Sequence, residues 1–267
     1  MVTLSPDVEY ADRGCGPALL FVPGSFGTSA GWRAVIDKFG DGYRIVTTSL
    51  LGYGATAERR PSHDPTMAEQ IGVIDAILDR IDAPAHVVGH SYGGLAAVAH
   101  AILGRRKPAS LVLVEANPLD ILRAADDQAH YDMFGAMTKV YFAEFETGRP
   151  DAARHVIDFY AGHGTFDALP QKVRDYVVAT TGSNILDWAS ATAFRPALAD
   201  YSAIDMPTLV VRGGDGHPAM LRIAELLTAS IPRATLTTIE GGRHFLPATH
   251  AAALARLIAT HVASGPP

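Results

Sequence analysis

Apolar residues in this chain follow two alternating rhythms. Short runs rich in Val, Ile and Leu lie at Val8–Ala11, Ala18–Val22, Arg44–Ser49, Ala85–Val88, Leu111–Glu115, Thr208–Arg212 and Thr235–Ile239, and each predicts a β-strand. Between them, apolar positions return at helical spacing over Ala30–Phe39, Thr66–Ile81, Tyr92–Leu103, Pro218–Ser230 and Ala248–Val262. The second of these opens with a Thr66-x-x-Glu69 capping box and would bury Ile71, Ile74, Ile77, Leu78 and Ile81. Strand and helix in alternation predict an α/β fold: a mostly parallel central sheet with helices on both faces. Ligands of such sheets bind beyond the carboxyl ends of the strands.

The alternation stops between Pro118 and Ala203. That stretch is helical in pattern, lacks a clear strand, and carries Tyr131, Phe134, Tyr141, Phe142, Phe145, Phe159, Tyr160, Phe166, Tyr176, Trp188 and Phe194. It is too long for a connecting loop. Residues 1–117 and 204–267 are therefore expected to form the core, with 118–203 inserted as a helical cap over the strand ends. Some of the aromatics should build the cap's own core and others line an apolar substrate pocket. Phe26, Phe134, Tyr141 and Trp188 are the expected wall residues.

The segment Gly89-His90-Ser91-Tyr92-Gly93 stands where a strand pattern gives way to a helix pattern. A serine there sits on a tight strand-to-helix turn, and flanking glycines remove Cβ atoms that would collide, so the hydroxyl projects above the sheet. The amide of Tyr92, at the helix start, would face a developing oxyanion. Ser25, in the glycine-rich turn Pro23-Gly24-Ser25-Phe26-Gly27 after another strand, would supply the second donor, with Phe26 next in line. A serine nucleophile needs a base. His244, in Gly241-Gly242-Arg243-His244-Phe245 beyond the last strand, can swing over the same edge, whereas His90 should point away into packing. The acid that orients the base has two candidates. Asp215 follows the penultimate strand, and Glu115 ends the Leu-Val-Leu-Val run, where an unpartnered carboxylate would be costly to bury.

Composition narrows the partners. The chain has 267 residues, is 48% hydrophobic and 19% charged, and has a net charge of −6, which argues against nucleic acid or an anionic membrane surface as partner. No apolar run reaches membrane-spanning length, and Met1–Asp7 lacks the features of a signal peptide. Cys15 is the sole cysteine, so an internal disulfide is impossible. His, Cys and carboxylates show no metal-ligand spacing, so neither metal nor organic cofactor is expected. A cytoplasmic enzyme acting on a small molecule fits these limits.

In motif order, the Pro23-Gly24-Ser25 turn, the Leu51-Gly52-Tyr53-Gly54 turn, the Ser91 pentapeptide, the helical insertion and His244 resemble the α/β-hydrolase superfamily over nearly the whole chain. The resemblance implies a Ser–acid–His triad, a two-amide oxyanion hole and a cap after the sixth strand. It also departs in places. Pro23 stands where His is usual, and Ser49 where an Asp often opens the D-x-x-G-x-G turn. The usual acid position falls on Gly216, one residue past Asp215, while Val114-Glu115-Ala116 is similar to the acid segment of members that carry it after the sixth strand. This register favours Glu115 over Asp215. Ser91 replaces the carboxylate nucleophile of haloalkane dehalogenases and epoxide hydrolases, which sets those activities aside. The expected function is hydrolysis of a small ester, lactone or thioester through an acyl-enzyme. Carbon–carbon bond hydrolysis or cofactor-free perhydrolysis on the same triad, or a non-catalytic receptor using the cap pocket, are the alternatives.

Overall fold

The computed structural model describes residues 7–63 and 65–264. The signal-peptide reading of Met1–Asp7 falls almost wholly outside them. Seven strands, β1 (Ala11–Arg13), β2 (Ala18–Val22), β3 (Arg44–Thr47), β4 (Ala85–His90), β5 (Ser110–Val114), β6 (Thr208–Gly213) and β7 (Ala234–Ile239), form one sheet in the order β1-β3-β2-β4-β5-β6-β7. Only β1 runs antiparallel to its neighbour. Every residue of β2 and β5 is buried, as expected of continuous apolar runs covered on both faces.

The core helices are α1 (Arg33–Ile36), α2 (Ala68–Ile81) and α3 (Tyr92–Leu103). Between β5 and β6 come α4 (Asp120–Ala124), α5 (Gln128–Glu146), α6 (Arg154–Ala161), α7 (Thr165–Ala168), α8 (Gln171–Ala179), α9 (Thr181–Ala193) and α10 (Leu198–Ser202). Helices α11 (Pro218–Ser230), α12 (Leu246–Thr249) and α13 (Ala251–Ala263) complete the chain. The core helices divide between two apolar layers. One holds Ile74 and Ile77 of α2, Leu95 of α3 and Ile223 of α11, and the other packs Val35 of α1 against Leu254 and Ile258 of α13. The cap's buried aromatics join the first layer, so cap and core share one continuous apolar interior.

Two local expectations need correction. The strand expected at Val8–Ala11 begins only at Ala11, because the Glu9 amide donates to Thr56 Oγ1 (3.0 Å) and the Glu9 carbonyl accepts from Thr48 Oγ1 (2.8 Å). Side chains therefore take bonds that a ladder would need. At α2 the Thr66 hydroxyl accepts from the Ala68 amide (3.2 Å) and meets Glu69 Oε2 (3.3 Å), but Met67 is the N-cap residue, so the expected capping box does not form. The Ser49 departure also has a physical account. Glu9 reaches in from the N-terminal segment, and its carboxylate accepts from Ser49 Oγ (2.7 Å), the Ala55 amide (2.9 Å) and Ser29 Oγ. A carboxylate still ties this turn; it comes from elsewhere in the chain.

Candidate active site

Three strand ends carry non-glycine residues in the left-handed region: Phe26 after β2 (φ 59°), Ser91 after β4 (φ 54°) and Glu115 after β5 (φ 45°). Such backbone costs free energy and persists only where the surroundings fix it. At Ser91 the turn is enforced by close approach. A Cβ at Gly93 would lie 2.3 Å from the Pro23 carbonyl oxygen, and one at Gly24 would lie 2.8 Å from the Ser91 Cβ. Glycine at both positions lets the β2 turn sit directly against the serine.

The buried side chains of Ser91, His244 and Glu115 form one hydrogen-bonded chain. Ser91 Oγ lies 2.9 Å from His244 Nε2, and His244 Nδ1 lies 3.2 Å from Glu115 Oε2. The other carboxylate oxygen, Oε1, accepts the Gly213 amide at 2.7 Å, so the charge at the end of β5 is partnered on both oxygens. Asp215 is exposed on the β6–α11 turn, tied by its amide to the Gly242 carbonyl (2.9 Å), and is not part of this chain. Yet a Cβ at Gly216 would stand 3.7 Å from Glu115 Oε1. The two candidate acid registers converge on one place, and Glu115 fills it.

His244 is held from three sides. Its backbone carbonyl accepts from His90 Nε2 at 2.8 Å, the two imidazoles lie 5.0 Å apart, and the Tyr160 ring stacks on His244 at 4.0 Å with 12° between planes. Burial, and then the nearby His244, push the His90 pKa down to about 3. A neutral His90 that donates from Nε2 has a fixed tautomer and acts as a strut for His244. It faces the cavity as well as the packing, which the sequence reading did not expect.

Ser25 and Phe26 are the central residues of a turn closed by the Gly27 amide on the Gly24 carbonyl (3.0 Å), with Phe26 at the position where glycine is usual. Tyr92 is the first residue of α3, where helix geometry gives the amide no acceptor within the helix. Ser25 and Tyr92 line a small, partly open cavity together with His90, Ser91, His244 and Phe245. The remaining wall combines Phe26, Val156, Ile157, Trp188 and Ala191 with Asn117, Tyr160, Asn184 and Asp187. It is more polar than the aromatic-rich cap sequence predicts.

Of the four expected wall residues, Phe26 and Trp188 line the cavity, and Phe134 and Tyr141 do not. Phe134 is buried one layer back, 5.2 Å from the Phe159 ring and 6.1 Å from Trp188. Tyr141 is also fully buried, and its hydroxyl donates to Asn184 Oδ1 at 2.9 Å, which holds that wall residue in place. Their size is spent on packing among helices α5, α6 and α9 of the cap itself. Sequence reasoning missed Asn117, Tyr160, Asn184 and Asp187. The available signal was the run Asn184-Ile185-Leu186-Asp187-Trp188, where polar residues three apart share a helix face with an aromatic neighbour.

Among the described residues, no three His, Cys, Asp or Glu side chains gather into a cation-holding group, and no helix is long and apolar enough to cross a membrane. Over 243 residues the chain is 27% identical to a pimeloyl-[acyl-carrier protein] methyl ester esterase of Vibrio campbellii, covering 86% of this chain and 88% of that protein. It is 31% identical over 117 residues to a 2-hydroxy-6-oxo-2,4-heptadienoate hydrolase of Pseudomonas putida, 41% of each chain. A bromoperoxidase from Bacillus anthracis superposes with a TM-score of 0.74 at 19% identity, over 96% of this chain and 95% of that one. Residues 19–257 match the Alpha/beta hydrolase family, a span that takes in the sheet from β2 onward, the cap and all three members of the hydrogen-bonded chain. The protein is an enzyme of the alpha/beta hydrolase family.

Proposed function

We propose that the protein is a serine hydrolase that cleaves a small, uncharged ester, lactone or thioester through an acyl-enzyme. The observation that carries this reading is the continuous chain Ser91–His244–Glu115, whose serine and histidine line a partly open cavity. His244 takes the Ser91 proton as the hydroxyl oxygen attacks the carbonyl, and Glu115 holds the imidazole in the required tautomer and stabilises its cation. The amides of Ser25 and Tyr92 receive the oxyanion of the tetrahedral intermediate. His244 then returns the proton to the leaving group. Water, deprotonated by the same imidazole, releases the acid and restores Ser91.

The wall supports the uncharged acyl group. No lysine or arginine lines the cavity, and the carboxylate of Asp187 does. Its partner Arg60 stands behind it with a fully shielded guanidinium. A substrate that carries its own carboxylate, as a heptadienoate does, would find no lysine or arginine among the described lining residues to pair with. This weighs against the carbon–carbon hydrolase alternative.

Intact mass after treatment with a fluorophosphonate tests the nucleophile. One adduct is expected on the parent and none on Ser91→Ala; an adduct persisting in the variant would overturn the assignment. Acyl charge is tested with p-nitrophenyl butyrate against the p-nitrophenyl hemiester of succinate. The uncharged ester should have a kcat/KM larger by roughly 10-fold or more, and equal or reversed values would overturn that part of the reading.

A further inference from the structure

The cap reaches the oxyanion side of the site through one carboxylate. Asp187 of α9 is almost completely buried, yet its oxygens gather donors from three separate parts of the chain. Oδ1 accepts from Arg60 Nη1 at 2.6 Å, and Oδ2 accepts from Tyr53 Oη at 2.6 Å and from Ser25 Oγ at 2.5 Å. Burial raises the Asp187 pKa above the ordinary carboxylate value, and these partners oppose the rise.

An ion pair alone does not require this arrangement. Arg60 already has Glu58, which it engages with two nitrogens (2.9 and 2.7 Å), and the carbonyls of Leu51 and Ser183. The bonds that Asp187 spends elsewhere both act on the Gly24–Gly27 turn. Ser25 is gripped directly. Phe26, in its left-handed conformation, is met edge-on by the ring of Tyr53 at 6.3 Å, and Tyr53 is itself fixed by Asp187. Both central residues of a strained turn are therefore held by one group, and that group belongs to the cap.

We infer that Asp187 is a positioning residue that clamps the Ser25 turn from the cap, so that seating of α9 on the core sets the oxyanion-side amide. The inference rests on the reading of Ser25 as an oxyanion donor. Hydrogen bonds to a developing charge depend steeply on where the donor stands, so a turn released from its clamp loses transition-state binding before it loses substrate binding. The Ser25 hydroxyl needs to touch no reacting atom for this.

The test compares the parent with Ser25→Ala, Ser25→Thr and Asp187→Asn, with rates referred to active sites titrated by a fluorophosphonate. Ser25→Ala keeps the amide and removes only the grip. It should lower kcat on p-nitrophenyl butyrate by roughly 10- to 100-fold and weaken a trifluoromethyl ketone inhibitor in proportion, with KM within about twofold. Ser25→Thr keeps a hydroxyl and should recover most of the loss, and Asp187→Asn should resemble Ser25→Ala. Asp187→Asn also leaves Arg60 with a weaker partner, so Ser25→Ala, at a half-buried site, carries the test should that variant fold poorly. Parental kcat per titrated site in Ser25→Ala, or a fall in melting temperature alone, would overturn the clamp. A parent that neither labels nor turns over any ester would overturn the serine-hydrolase reading itself, and the clamp with it.

Discussion

The sheet and the cap each supply half of the cavity, and they do so by different physical means. On the sheet side, Ser25, Ser91, Glu115 and His244 sit on turns that follow strands, where the chain must change direction within a few residues. Such turns need glycines or left-handed backbone, so three of these residues come with local marks, Gly89 and Gly93 around Ser91, Gly24 beside Ser25, Gly241 and Gly242 before His244, while Glu115 takes the left-handed backbone without a glycine beside it. On the cap side, Asn184, Asp187, Trp188 and Tyr160 sit on regular helices and face the site only because those helices dock as they do. Turns carry chemistry that local geometry can announce. Helices carry recognition that only tertiary packing reveals.

The largest effect should come from breaking the sheet half at its acid. Glu115→Gln is expected to lower kcat by about 10³- to 10⁴-fold, because the amide no longer holds the required tautomer of His244. Asp215→Asn, at an exposed position, should stay near the parent. The convergence of the two registers allows a sharper experiment. In Glu115→Gly, chosen because residue 115 has φ 45°, adding Gly216→Asp brings a carboxylate to the vacated place, since a Cβ at 216 lies 3.7 Å from Glu115 Oε1. The double variant should regain activity over Glu115→Gly in ester hydrolysis. No gain, with the protein folded by circular dichroism, would mean that the two registers are not interchangeable.

This convergence also marks what the sequence could and could not disclose. The strand–helix alternation, the Ser91 turn and the His244 loop were legible because apolar periodicity and glycine placement are local signals. The carboxylate that meets His244 was legible only as a pair of candidates, because register within a loop is decided by contacts across the sheet, here the Gly213 amide on Glu115 Oε1. The cap aromatics were legible as apolar mass but not by role: Phe134 and Trp188 look alike in sequence, and one is buried between cap helices while the other faces the cavity. Glu9 and Arg60 left no trace at all. Each acts on a turn far from it in sequence or through a partner in another element.

The cap half should separate into chemistry and stability. Tyr160→Ala removes the ring stacked on His244 and should lower kcat on the order of 10-fold by loosening the base. Phe134→Ala, one layer behind, should cost about 3–5 kcal/mol of stability and leave kcat/KM per titrated site close to the parent. Urea unfolding and active-site titration on the same samples separate the two. Equal kinetic losses in both variants would show that the cap's interior and the cavity wall act as one unit.

The smallest effect concerns pH, and it belongs to the sheet half. The histidines that burial pushes down, His86, His90, His100, His217 and His261, all lie outside the 118–203 insertion. His90 is the one at the site, with a folded-state pKa of about 3 against the ordinary 6.5. Between those values the unfolded chain binds a proton at this position that the folded protein excludes. The contribution of neutral His90 is thus complete above pH 6.5 and is lost progressively as pH falls toward 3. The slope from one such group is at most about 1.4 kcal/mol per pH unit. Other buried histidines and the carboxylates also shape the acid limb, so the informative quantity is the difference between parent and His90→Gln. That difference in unfolding free energy should be flat above pH 6.5 and should shift against the parent as pH falls below it. A difference that stays constant down to pH 4 would mean that His90 is solvated enough to carry its proton in the fold, and its carbonyl bond to His244 would then be no fixed strut.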